Sequence, residues 1–168
     1  LAVIYLGIDG FKRINDIYGY DVGDDYLKAV AELLKSSIRK ADTLVRMGGD
    51  EFVILLEALD SSPQVDHTIN RISEEMNKSV KVGKLFFKSS FSIGIKLSDS
   101  GFDTAEQVLR DADIARHQAK RSGAGKVVYY DPDMGHLILH KNRLSIDLEK
   151  AIDREEVFPV FQPIVRSD

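Results

Sequence analysis

Cysteine is absent from the 168 residues, so the chain has neither a disulfide framework nor a thiolate metal site, as expected of a protein kept in a reducing compartment. An excess of positive charge is also missing. Acidic residues number 27 against 23 basic ones, which excludes a general electrostatic attraction to DNA, RNA or an anionic membrane and leaves any polyanionic ligand to be held locally. No run of about 18 apolar residues is present to cross a bilayer. A cytoplasmic location is the expectation, with an upstream sensor or membrane region left open. The chain begins in "LAVIYL" without a methionine, and it reads as an excerpt of something longer.

What is present is 43% hydrophobic, enough for one core and the start of a second domain. "LAVIYLGI" is a short β-forming run suited to a central strand buried on both faces, followed at once by a turn. Leu27, Val30, Ala31, Leu34 and Ile38 lie on one helical face, with Asp24 and Asp25 expected in the first turn, where the helix dipole favours acids. A hairpin around "RMGGDEF" follows. Val65, Ile69, Ile72 and Met76 mark another amphipathic helix, and "KLFFKSS" and "FSIGIKL" read as strands. Thr104 and Gln107 have capping-box spacing, Val108, Ala112, Ala115 and Ala119 form the stripe behind them, and Gly123 can close that helix. "KVVYYD" is a last strand. The pattern predicts an α/β fold of ferredoxin-like type, a mainly antiparallel central sheet covered by helices. Beyond "PDM", Leu144, Leu148 and Ile152 suit a linker helix, and "EEVFPVFQPIV" looks strand-like.

The hairpin tip admits two readings. Gly48 and Gly49 permit positive φ and expose backbone amides, while Asp50 and Glu51 are hard oxygen donors suited to magnesium, so a metal and triphosphate platform is one. An acidic Gly-Gly turn is the other.

"IDGFKRINDIYGYDVGDDYL", "RKAD", "VRMGGDEF", "FSIGI" and "ADIARHQAKRSG" resemble, in order and spacing, the GGDEF family of diguanylate cyclases, with its nucleotidyl-cyclase, palm-type fold. The resemblance covers residues 1–131. The segment 132–168, with "LEKAIDREEVFPVFQPIV", resembles a linker helix and the first strand of an EAL phosphodiesterase domain, as in composite GGDEF and EAL proteins.

The resemblance implies that two domains face each other as a homodimer, each holding one GTP, and that each 3'-hydroxyl attacks the other's α-phosphate to give cyclic di-GMP. Asp50 and Glu51 then match the signature acids that hold Mg2+ or Mn2+, with the carbonyl of Ile8 as a further ligand and one acid assisting deprotonation. Gly48 and Gly49 let the nucleotide approach. Asn15 and Asp24 match the guanine-reading pair, Phe11 and Lys12 the turn whose amides meet the phosphates, and Lys120 the lysine at the terminal phosphates. Arg39 and Asp42 match the RxxD inhibitory site for cyclic di-GMP. Each residue also has a local reading, as turn former, dipole partner or solvated side chain.

Two positions depart from the family pattern. Gly7 stands where a metal-binding aspartate is usual, and Ala124 where an arginine usually helps hold the terminal phosphate. Asp9, two residues after Gly7, is too far along an extended strand to be an easy substitute, and His117 replaces a common tyrosine. The sequence therefore supports a diguanylate cyclase with impaired turnover, an inactive GTP- or cyclic di-GMP-binding regulator of an adjoining EAL domain, or a structural dimerisation unit.

Overall fold

The computed structural model describes residues 1–57, 63–98 and 104–135, together with 147, 148, 150, 151, 154, 156 and 158–160. The chain divides into two compact units, Leu1–Asp131 and Pro132–Asp168.

In the first unit, β1 (Ala2–Ile8) is the middle strand of a five-stranded sheet and is buried along its whole length. It pairs antiparallel with β3 (Glu51–Leu56) and with β6 (Phe91–Leu97), β2 (Thr43–Gly48) lies outside β3, and β7 (Val127–Tyr129) adds parallel to β6. Side chains alternate between sheet faces, so the apolar run in β1 supplies two cores. Ala2, Ile4, Leu6 and Ile8 meet Phe52, Ile54, Ile93 and Ile95 under α1 (Phe11–Tyr18), α2 (Tyr20–Ser36) and α3 (Pro63–Asn77). Val3, Tyr5 and Val53 meet Val108 and Ala112 of α4 (Ala105–Arg121) on the other face. Each fully buried Leu or Ile contributes about 1.5–3 kcal/mol relative to exposure.

Helix α4 starts as its sequence predicts: Thr104 Oγ1 accepts from Gln107 N at 3.2 Å and Gln107 Oε1 accepts from Thr104 N at 2.9 Å. Gly94 of β6 decides how deeply it sits, because a β-carbon there would overlap the backbone of Ala112 and Arg116.

Two local expectations are corrected. The stretch after β1 is not a turn alone but the two-turn α1, entered through Gly10 at φ 75°. Helix α2 begins at Tyr20, so its first-turn acid is Asp21, and Asp24 and Asp25 lie a turn further in. A separate hairpin, β4 (Val80–Val82) and β5 (Leu85–Phe87), packs Phe87 edge-on against Tyr18 and Tyr26 at 5.3 Å each.

In the second unit, Asp147, Leu148, Lys150 and Ala151 are helical and Arg154 N donates to Lys150 O at 3.0 Å. Leu144 and Ile152 lie outside the described residues. Of the strand-like segment, Phe158, Pro159 and Val160 carry no regular structure, and most of the remainder also lies outside.

Candidate active site

The topology brings the signature hairpin, the start of α1 and the last turns of α4 to the carboxyl end of β1. Gly49 and Asp50 form the tip between β2 and β3, with Gly49 at φ 51°, a conformation glycine adopts without cost. Arg46 fixes that tip by donating from Nε and Nη2 to the Gly49 carbonyl at 3.1 and 2.8 Å. Ile8 N donates to the Asp50 carbonyl at 3.1 Å, which ties the tip to the end of β1.

Glu51 pairs with Gly7 across the β1–β3 ladder and therefore projects toward α4. Tyr5, two residues before Gly7 on the same face, donates its hydroxyl to Glu51 Oε2 at 2.9 Å. Burial, then donation to this carboxylate, pushes the Tyr5 hydroxyl up to about 12. The other oxygen, Oε1, lies 3.0 Å from Nη2 of Arg116. That guanidinium is 4% exposed, stacks over the Tyr5 ring at 5.1 Å, and donates from Nε and Nη2 to Asp113 Oδ1 at 2.8 and 2.6 Å.

Gly7 leaves this arrangement room. A β-carbon at position 7 would stand 3.1 Å from Arg116 Nη1. Asp9 is engaged elsewhere: Oδ1 accepts from Ser92 at 2.6 Å, and Oδ2 accepts from Ser90 at 2.7 Å and from Gly125 N at 2.9 Å.

Asn15 and Asp24, the residues expected to read guanine, lie on α1 and α2. Asn15 packs against Gly23, next to Asp24, and its Oδ1 is buried without a hydrogen-bond partner. Asp24 is exposed. Phe11 and Lys12 open α1, whose cap residue Gly10 offers no side-chain acceptor to the first-turn amides. Lys120 lies one turn beyond Arg116 on α4 and is exposed, as is Ala124.

Arg39 and Asp42 belong to a different place. They precede β2, at the end opposite the hairpin tip, about 17 Å away along the strand. Asp42 Oδ2 accepts from Arg39 N at 2.9 Å, and Lys35, Arg39 and Lys40 line one cleft of about 410 Å³.

Sequence reasoning missed Tyr5, Asp113 and, above all, Arg116. A signal was available: Arg116 falls four residues after Ala112, on the apolar stripe of α4, where a charge needs a buried partner.

A nucleotidyl-cyclase palm is defined by this combination of a mixed sheet, helices on both faces, and a Gly-Gly-Asp-Glu hairpin beside the end of the central strand. Comparison with known proteins makes the assignment specific. The family described as "Diguanylate cyclase, GGDEF domain" matches residues 1–126, and the chain belongs to it. The chain is 33% identical over 167 residues to the bifunctional diguanylate cyclase/cyclic di-GMP phosphodiesterase MucR of Pseudomonas aeruginosa, covering 98% of this chain and 24% of that protein. It is 30% identical over 163 residues to the cyclic di-GMP phosphodiesterase PdeR of Escherichia coli, covering 97% and 24%. The chain thus spans about a quarter of these relatives. Among solved structures, the GGDEF domain of YfiN, or TpbB, from Pseudomonas aeruginosa aligns with a TM-score of 0.74 at 33% identity, covering 77% of this chain and 81% of that one. The GGDEF domain of DgcB from Caulobacter crescentus, solved in complex with c-di-GMP, aligns at 0.69 and 25% identity, covering 76% of each.

The family is generally dependent on a divalent metal, and the donor set here does not fit one at Glu51. Each Glu51 oxygen already faces a donor, Gly7 offers no side-chain oxygen and Asp9 accepts three hydrogen bonds of its own. Among the described residues no group of three or more His, Cys, Asp or Glu could hold a metal ion. No described helix is long and apolar enough to cross a membrane.

Proposed function

We propose that this GGDEF domain of cyclic di-GMP signalling binds a guanine nucleotide between α1, α2 and the signature hairpin, turns it over poorly, and regulates an EAL phosphodiesterase in the same protein. The buried, unpartnered Oδ1 of Asn15 carries the reading. An orphaned acceptor is costly in a folded core, and rotation of the Asn15 amide off Gly23 would let a guanine edge supply N–H donors that relieve it, with the exposed Asp24 as the second acceptor. The amides of Phe11 and Lys12 would meet the phosphates and Lys120 their terminal charge.

Turnover is expected to suffer because Glu51, one of the two signature acids that could assist deprotonation of the attacking hydroxyl, is held by Arg116 and Tyr5. A base must reach the proton it takes. A neighbouring EAL domain would respond through the nucleotide's differential affinity for two states of the protein.

A second reading, a working diguanylate cyclase acting as a homodimer, is supported by the intact hairpin: Gly48, Gly49, Asp50 and Glu51 keep the two-residue tip and its anchor to Ile8. At Arg39 and Asp42, the cleft lined by Lys35, Arg39 and Lys40 supports binding of cyclic di-GMP, the ligand with which the related DgcB domain was solved.

The deciding experiment incubates the protein with GTP and Mg2+ or Mn2+ at concentrations that favour dimers, measuring nucleotide binding and cyclic di-GMP together. Binding with little or no product is expected. Product that disappears in Glu51→Ala would establish the cyclase instead, and absence of binding would defeat both nucleotide readings.

A further inference from the structure

We infer that Arg116 is the resident cation of this site: its guanidinium fills the space beside Glu51 and Gly7 where a divalent ion would sit, so Glu51 binds no metal. A guanine nucleotide is accordingly held with no ion at that acid. The second statement rests on the nucleotide-binding reading above; the first stands without it.

Charge and geometry agree. A divalent ion would need carboxylate oxygens at close range, about 2.0–2.1 Å for magnesium, and would keep several waters. The Glu51 oxygens instead face Arg116 Nη2 at 3.0 Å and the Tyr5 hydroxyl at 2.9 Å. An ion brought to Glu51 would therefore meet the positive charge of the buried Arg116 guanidinium at close range.

Arg116 is not a surface side chain that has wandered in. Its guanidinium is buried, forks onto Asp113, lies over the Tyr5 ring and has His117 Nε2 at 3.1 Å. Three features of the chain prepare the place. Gly94 lets α4 sit on β6 and so delivers position 116 to the sheet; Gly7 leaves the volume open; Glu51 and Asp113 supply the opposing charge. Removing Arg116 without replacing its charge would leave two carboxylates facing one another, the environment that attracts a metal. The acid nearest in sequence to Gly7 offers no alternative, since Asp9 already accepts three hydrogen bonds.

The test titrates the 168-residue chain with Mn2+ alone and counts the free ion by electron paramagnetic resonance. The unsubstituted protein is expected to bind no ion whose loss follows Glu51→Gln, and Gly7→Asp/Arg116→Leu is expected to gain one. An ion bound by the unsubstituted protein and lost in Glu51→Gln would overturn the assignment. So would a folded double variant that gains none; if that variant does not fold, the comparison with Glu51→Gln decides alone. GTP affinity is then measured in EDTA and in Mg2+, with agreement within about threefold expected. A gain of about tenfold or more with Mg2+ that vanishes in Glu51→Gln would overturn the metal-free mode. GTP binding in neither buffer would remove the nucleotide reading, while the Mn2+ titration would still judge Arg116.

Discussion

The side-chain oxygen of Asn15 on α1 rests against Gly23 on α2, so closely that a β-carbon at position 23 would overlap it. Gly23→Ala should improve the intrinsic helix propensity of α2 by about 1 kcal/mol yet displace Asn15. The expected outcome is a thermal midpoint within a few degrees of the parent and GTP affinity lowered by about tenfold. Calorimetric binding beside a thermal melt separates the two effects, and unchanged affinity would remove Asn15 from the guanine site.

Gly94→Ala should behave differently, because it would collide with helix backbone and not with a movable side chain. Overpacking of this kind costs about 1–3 kcal/mol and more when nothing can yield. A loss of about 3 kcal/mol in urea unfolding is expected, together with separation of Arg116 from Glu51. A loss below about 1 kcal/mol would mean that α4 is not seated as described.

Asp9 joins the end of β1, the start of β6 and the turn before β7 through one carboxylate. Asp9→Ala strands the Gly125 amide and two serine hydroxyls, so about 2 kcal/mol of stability should be lost. Amide exchange at Gly125 should accelerate more than exchange at the middle of β1. Equal acceleration at both would indicate global loosening in place of a local clip.

Tyr5→Phe keeps a ring beneath Arg116 but removes the donor to Glu51, costing about 1 kcal/mol near neutrality. The hydroxyl is pushed up from 10.0 to about 12 by burial first and by Glu51 second. The native state therefore holds this proton more tightly than the unfolded chain does. Its contribution is complete below pH 10.0 and is lost as pH rises toward about 12. Urea unfolding at stepped pH should show a shallower alkaline decline in Tyr5→Phe than in the parent; parallel curves would contradict the Tyr5–Glu51 bond.

Much of the fold was legible because its signals are local. The unbroken apolar run of β1 announces a strand covered on both faces, and the Thr104 and Gln107 pair announces the start of α4. Helix α1 escaped because its eight residues bury only Phe11 and Ile14, too few for a period to emerge. The hairpin, the guanine pair and the RxxD turn could be located by spacing, but their availability could not. Whether Glu51 is free depends on Arg116, and that contact exists only because Gly94 lets α4 descend and Gly7 makes room. Such a relation is written in packing depth, which no window along the chain records.

The Gly7 and Arg116 pair also bears on how this site could change over generations. Glycine and aspartate have neighbouring codons, so an acid at position 7 is an accessible mutation. Here, however, a new carboxylate would emerge beside Arg116 Nη1, with the β-carbon itself only 3.1 Å away. It would be drawn into the ion-pair cluster as a third acid around one guanidinium. A carboxylate at position 7 would serve a metal only once Arg116 had been replaced, which leaves Glu51 and Asp113 facing one another. The order of the two changes is thus fixed: loss of the arginine opens the two acids to an ion, and only then does an acid at position 7 add to the site.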